Sequence, residues 1–215
     1  MIELPVYNQS GQEVGKLSVD EKQLGGEVNA ALLKQAVVMY HANLRQGTVA
    51  TRGRGDVEGS TRKLYKQKHT GSARRGNIRT NVMKGGGMAF AKRPRDFRQS
   101  MPTRQRRLAR NNAILAKIES KQIKILDQLS LPQAKTKEMA RVLSALKIDR
   151  SVLIAPAKTD QTLVLSSRNI PYASIKPALE INAYDILKAR TLLMTRDAME
   201  TLLKSPVKTA GASGA

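Results

Sequence analysis

The chain has 215 residues and no cysteine, with 38 Lys and Arg against 17 Asp and Glu for a net charge of +21. Without cysteine, a disulfide framework and cysteine-based zinc or thiol chemistry are excluded. Half of the basic residues fall in 45–110, where 19 Lys and Arg meet three acids (Asp56, Glu58, Asp96); these 66 residues carry +16 and the other 149 only +5. Crowding like charges raises the free energy of a compact state, and a polyanion that supplies the counter-charge reverses that balance. The charge points to nucleic acid.

The opening Met1-Ile2-Glu3-Leu4-Pro5 has neither a basic stretch nor an apolar core of the secretory kind. No apolar run approaches the ~18 residues of a membrane span. The cytosol is the expected compartment, with no membrane partner. Two Phe, five Tyr and no Trp mean that any core is aliphatic.

Residues 2–7 alternate apolar and polar, Asn8-Gln9-Ser10-Gly11 forms a turn cluster, and residues 14–19 alternate again, which predicts a hairpin. Residues 28–44 read as a helix with Leu33, Val37, Tyr40 and Leu44 on one face, stopping at Gln46-Gly47. Residues 48–100 show no periodicity and hold eight of the fifteen glycines. Connections this long without secondary structure are functional or disordered when free, and high charge with low hydrophobicity cannot offset ordering entropy. An extension that orders only on its partner is expected.

A helix starts near Pro102 with Ser100 as candidate cap, burying Leu108, Leu115 and Ile118. Arg104, Arg106, Arg107 and Arg110 load its first turns with the wrong sign for a helix N-terminus. Beyond it strand and helix alternate: strand 123–126, helix 135–146, strand 151–155, a helix capped by Thr159 or Asp160, strand 170–175, a helix capped by Asn182, strand 191–194, and a last helix 196–203 capped by Thr195. Apolar strands separated by helices predict a Rossmann-like, mostly parallel sheet with helices on both faces. The predicted organisation is an α/β domain from 1–47 and 101–204, a long basic extended loop inserted at 48–100, and a flexible tail at 205–215.

No cofactor is expected. Gly53-Arg54-Gly55 lacks the third glycine of a dinucleotide fingerprint at the right spacing and follows a helix rather than a strand. Gly85-Gly86-Gly87 is a candidate phosphate cradle through backbone N–H groups. His41 and His69 are too few and too separated for a metal or a nucleophile–base pair, so neither catalysis nor a metal is expected.

A charge run is usually a solvated face or a disordered tail. This one is internal, and it interleaves glycine and flat side chains with its cations, which suits close approach to phosphates and stacking on unpaired bases. The candidate RNA contacts are Arg45, Arg52, Arg54, Arg62, Lys63, Lys66, Lys68, Arg74, Arg75, Arg79, Lys84, Lys92, Arg93, Arg95 and Arg98, followed by Arg104, Arg106, Arg107 and Arg110. Tyr65, Phe90 and Phe97 are the candidate base-stacking rings. RNA is favoured over DNA because no DNA-reading motif is present.

The run Arg62-Lys63-Leu64-Tyr65-Lys66-Gln67-Lys68-His69-Thr70-Gly71-Ser72-Ala73-Arg74-Arg75-Gly76 resembles the signature of the large-subunit ribosomal protein L-four family. So do Arg45-Gln46-Gly47-Thr48, Gly85-Gly86-Gly87, Phe90 and Arg93-Pro94-Arg95-Asp96-Phe97. The resemblance spans about residues 2–203. It implies a structural protein with an α/β body on the outside of the subunit. A long loop would thread ribosomal RNA, its tip lining the nascent-peptide exit tunnel, and a role in early subunit assembly is implied as well. By motif match the tip is Lys66, Gln67, Lys68, His69, Thr70 and Gly71. The implied partners are the large-subunit rRNA, neighbouring ribosomal proteins and the nascent polypeptide. The sequence departs from the family pattern where Tyr65 replaces Trp, Leu64 replaces Pro, His69 replaces Gly, Ser72 replaces Arg, and Met83 stands at a position commonly aromatic. The rival reading is an RNA-modifying enzyme with a Rossmann-like domain and a basic docking insertion; a free RNA chaperone is a third.

Overall fold

The computed structural model describes residues 1–204; the stretch expected as a flexible tail, 205–215, lies outside them. The hairpin is β1 (Ile2–Tyr7) and β2 (Glu13–Val19), paired antiparallel. A 3-10 turn (Glu21–Leu24) leads to α1 (Ala30–Asn43), and the long connection returns at α2 (Thr103–Glu119). Then follow β3 (Ile123–Leu126), α3 (Thr136–Ala145), β4 (Val152–Ala155), α4 (Gln161–Ser167), β5 (Ala173–Ile175), α5 (Ala183–Lys188), β6 (Thr191–Thr195) and α6 (Arg196–Leu203). No described helix is long and apolar enough to cross a membrane.

The six strands form one sheet in the order β2-β1-β3-β6-β4-β5, parallel everywhere except at the β1–β2 hairpin. Successive side chains of a strand point to opposite faces, and the two cores follow that parity. Ile123, Ile125, Leu153, Ala155, Leu192 and Met194 join α1, α2, α5 and α6 on one side. Leu126, Val152, Ile154 and Leu193 join α3 and α4 on the other. The predicted α/β class, a mostly parallel sheet with helices on both faces, is the observed one.

Several helices start where short polar side chains satisfy free amides. Asp160 Oδ1 accepts from Thr162 N at 2.9 Å, Asn182 Oδ1 from Asp185 N at 2.8 Å, and Thr195 Oγ1 from Ala198 N at 3.3 Å. Such a cap contributes about 1 kcal/mol. Ser100 is not the cap of α2; Pro102 holds that position and provides no side-chain bond. The α1 stripe is also rotated from expectation. Leu33, Ala36 and Met39 are buried, whereas Leu44 lies past the helix end and is 70% exposed. Ala36, fully buried, permits close helix approach that a larger side chain would block. The strand expected at 170–175 shortens to Ala173–Ile175.

α2 ties the body together with polar groups that its apolar pattern does not announce. Asn112 Oδ1 accepts from Asn29 N at 3.1 Å and its Nδ2 donates to Leu24 O at 3.0 Å, joining α2 to the segment that starts α1. Lys117 Nζ donates to Gln122 Oε1, Ala189 O and Arg190 O at 2.8–3.0 Å, so this buried ammonium uses all three donors. Burial first, then Arg190, lowers its pKa. Both α2 and α3 end in Schellman-type caps: Gln122 N bonds Lys117 O and Lys121 N bonds Ile118 O, while Ile148 N bonds Leu143 O and Lys147 N bonds Ser144 O. The left-handed position favours glycine, yet Lys121 (φ 55°) and Lys147 (φ 53°) occupy it, at about 1–2 kcal/mol each.

The described residues divide into two compact units, one formed by Met1–His41 with residues 100–204, the other by Ala42–Gln99. Asn112→Ala leaves the buried carbonyl of Leu24 unsatisfied and removes the partner of the part-buried Asn29 amide, so it should destabilise the body by about 1–3 kcal/mol. Urea unfolding followed by circular dichroism checks this; a loss under about 0.5 kcal/mol, typical of a surface site, would show that Asn112 clamps nothing.

Candidate nucleic-acid interface

The Ala42–Gln99 unit holds 15 Lys and Arg against three acids, a net +12 in 58 residues. It has neither helix nor strand between 44 and 99, only an isolated bridge joining Gly53 and Met88. Two extended arms run past each other in opposite directions. At their base Asn43 clamps Gln99, donating Nδ2 to its carbonyl at 3.2 Å and accepting its amide at 2.8 Å. Farther out Arg95 N bonds Gly47 O (3.1 Å), Thr51 N bonds Lys92 O (2.9 Å), and Met88 N bonds Arg52 O (2.9 Å). The amide of Lys92 also donates to Thr51 Oγ1 at 2.7 Å. The Asn43–Gln99 clamp was not legible in the sequence, because an Asn next to a helix end reads only as a cap.

The triple glycine serves this crossing: Gly86 N donates to Met83 O at 2.9 Å and Gly87 N to Arg79 O at 3.0 Å, so two of the three amides of the expected phosphate cradle are spent within the chain. A Cβ on Gly87 would stand 2.3 Å from the backbone nitrogen of Arg54, and one on Gly86 would stand 1.9 Å from the carbonyl oxygen of Thr80. Gly87 is buried. Only a bare backbone lets the arms approach this closely.

Beyond the crossing the chain folds back a second time. Leu64 N bonds Gly76 O at 3.0 Å, Lys63 Nζ donates to Arg75 O at 2.9 Å, and the Tyr65 hydroxyl donates to Ala73 O. Residues 66–72 form the apex, and every one of them is exposed. His69 adopts φ 64° and Gly71 φ 68°. The left-handed conformation open to glycine is thus kept by the histidine, at about 1–2 kcal/mol. Met83, another of the departures, meets a cation: Arg75 Nη1 points at its Sδ, 3.0 Å away.

The structure spreads the expected cations over this unit and the start of α2. Arg45, Arg52, Arg54, Arg62, Lys63, Lys66, Lys68, Arg74, Lys84, Lys92, Arg93, Arg95, Arg98, Arg104, Arg106 and Arg107 are exposed; Arg75 and Arg79 are half-buried. Arg110 is different. It is 7% exposed, and its Nε and Nη2 donate to Asn111 Oδ1 at 3.2 Å. Burial first, with Arg107 beside it, lowers its guanidinium pKa, so it packs the helix and is withdrawn from the candidate RNA contacts. No Lys or Arg of 45–110 forms an ion pair among the described residues. Two of the three local acids turn to the backbone instead, Asp56 Oδ2 accepting from Gly53 N (3.0 Å) and Asp96 Oδ1 from Arg98 N (2.7 Å).

The three rings have different surroundings. Phe90 is 95% exposed. Tyr65 is half-buried with its hydroxyl committed to Ala73. Phe97 carries the guanidinium groups of Arg45 and Arg95 at 3.9 and 4.2 Å from its centroid. Phe97 thus organises two arginines through cation–π contact, so the ring expected to stack on a base is engaged by guanidinium groups. With Val49, Lys92 and Arg93 these residues line a groove of about 540 Å³. Among the described residues no group of three or more His, Asp or Glu is placed to hold a metal ion.

Gly87→Ala should lower affinity for RNA at least about tenfold, the equivalent of 1.4 kcal/mol, with the body's melting temperature unchanged. Gly55→Ala, whose Cβ would meet nothing within 4 Å, is the matched control. Equal affinities for the two variants in a filter-binding titration would contradict the crossing's role.

The profile of the Ribosomal protein L4/L1 family matches residues 17–205. A "Large ribosomal subunit protein uL4" from Dehalococcoides mccartyi is 44% identical over 198 residues, covering 92% of this chain and 94% of that protein. Another of that name, from Pelotomaculum thermopropionicum, is 46% identical over 196 residues, covering 90% and 94%. A third, from Desulfatibacillum aliphaticivorans, is 37% identical and covers 94% and 98%. With a family profile over most of its length and such relatives end to end, the chain belongs to the Ribosomal protein L4/L1 family.

Proposed function

We propose that this protein is a structural constituent of the large ribosomal subunit that binds the large-subunit rRNA and works in the cytoplasm beside neighbouring ribosomal proteins. One observation carries the reading: the Ala42–Gln99 unit holds a net +12, and none of its cations is ion-paired among the described residues. The counter-charge has to come from outside the chain, and closely spaced phosphates supply it with release of their condensed counterions. The relatives are ribosomal proteins rather than enzymes, which removes the RNA-modifying alternative.

In this reading the two arms are an RNA-threading element. Their cations sit between phosphates of RNA helices that otherwise repel, which gives the protein its part in early subunit assembly. Phe90, almost wholly exposed, is free to stack on an unpaired base. The apex at 66–71 is the part that lines the peptide exit tunnel. Its support is the shape of the fold-back and the side chains of Lys66, Gln67, Lys68 and Thr70, all exposed and without hydrogen bonds among the described residues. They are available to rRNA and to a passing nascent chain.

In a sucrose gradient of a lysate the protein should travel with the large subunit; a free, slowly sedimenting pool alone would overturn the reading. Deleting residues 62–75 should leave the body's cooperative melting intact, because none of its core residues lies there, while altering chemical reactivity of tunnel-wall nucleotides. Unchanged reactivity would contradict the tunnel assignment.

A further inference from the structure

Outside 45–110 the chain carries 19 Lys and Arg against 14 acids, a surplus of +5, and that surplus is not evenly spread. Backbone bonds set the entries of four parallel strands, β3, β6, β4 and the edge strand β5, side by side: Leu192 N to Gln122 O, Thr191 N to Ser151 O, and Val152 N to Tyr172 O, all 2.8–3.0 Å. Lys121, Arg190 and Arg150 immediately precede these bonded positions. Helices that return antiparallel to the strands finish at the same edge, adding Lys147, Arg168 and Lys188 at or just beyond their ends. All six are exposed; Glu119 and Asp149 accompany them, and at the neighbouring entry of β1 Glu3 and Glu21 are already paired with Lys16 and the terminal ammonium, which leaves a local net of +4.

Three observations say that this edge is more than a solvated rim. None of the six forms an ion pair among the described residues. The cations crowd one another: besides burial, Lys147 lowers the pKa of half-buried Lys124, and Arg190 that of Lys117. Most telling, Lys121 and Lys147 hold left-handed positions at φ 55° and 53°, where glycine fits without strain. Helix C-termini do attract cations, which bears on Lys147, Arg168 and Lys188. It does not account for Arg150 and Arg190 in strand-entry loops, nor for a strained lysine where glycine closes the cap better.

We infer that the amino-terminal edge of the parallel sheet is a second contact for rRNA phosphates, built into the body and separate from the Ala42–Gln99 unit. An acidic protein surface is the weaker fit, because interface cores are rich in apolar and aromatic groups, whereas among the described residues the large apolar side chains exposed along this edge are the terminal Met1 and Tyr172, the latter at 38%. The inference rests on the ribosomal reading above. It also places the RNA opposite the carboxyl ends of the strands, where open α/β sheets usually hold their ligands.

The absence of cysteine allows a direct test. Single-cysteine chains Arg150→Cys, Lys158→Cys (in the loop between β4 and α4) and Thr70→Cys, each carrying tethered iron–EDTA, are assembled into large subunits and hydroxyl-radical cuts in the rRNA are mapped. Strong cuts from position 150 and weak ones from 158 are expected. Cuts from 70 with none from 150 above the 158 level would overturn the edge contact and leave the ribosomal reading standing. Failure of all three chains to sediment with the subunit would overturn both. A second measurement separates binding from capping: Lys121→Gly with Lys147→Gly relieves both left-handed lysines, so the melting temperature should hold or rise. The slope of log affinity for rRNA against log salt should meanwhile fall by about 1 to 2. An unchanged slope would contradict the contact.

Discussion

Like charges held close together are the constraint that organises this molecule. In Ala42–Gln99 the net +12 falls on 58 residues, and two of the three local acids are occupied as backbone acceptors instead of counter-ions. No apolar core offsets the repulsion; the largest core clusters lie wholly in the other unit. Backbone rungs and glycine crossings give this unit a path, but they cannot cancel its self-repulsion. Phosphates can. On the function proposed above, RNA completes this unit as a metal completes a zinc finger, with the energy delocalised over many weak, salt-sensitive contacts.

The body works on opposite terms. Its parallel sheet buries aliphatic side chains on both faces, and α2 fastens the edges through Asn112 and Lys117, whose buried polar atoms are matched to backbone partners. A half-satisfied network of that kind would cost more than an apolar core, so these bonds fix one arrangement. The body carries the remaining +9 over more than twice as many residues. Part of that charge gathers at the amino-terminal edge of the sheet, with lysine kept at two positions where backbone geometry favours glycine.

Fold class was legible because hydrophobic period and capping chemistry agree through 120–204: Asn182, Thr195 and Asp160 cap as short polar residues should, and the apolar strands sit where their composition places them. The misreadings have physical reasons. The α1 stripe was assigned by large side chains, whereas close packing selected Ala36. Ser100 looked like a cap because local propensity cannot see that the chain enters α2 through Pro102. Arg110 counted as one more cation of a run, and only the third dimension shows it turned into the helix packing. Gly86 and Gly87 suggested phosphate because glycine signals close approach without saying to what; here it is the chain's own backbone. Phe97 was expected to meet a base and meets two guanidinium groups. His69, in place of the family's glycine, keeps a left-handed conformation, which histidine visits more often than most side chains do.

The dependence of the basic unit on RNA is tested most directly by salt titration of binding. The full chain is compared with one in which residues 48–98 are replaced by a short Gly-Ser link, each titrated against large-subunit rRNA from low to moderate salt. Each phosphate neutralised contributes about 0.9 to the slope of log affinity against log salt. A steep slope for the full chain that collapses to a small residue from the body edge in the shortened chain is the expected result. Equal slopes for the two chains would show that the charge concentrated in Ala42–Gln99 is not what holds the RNA.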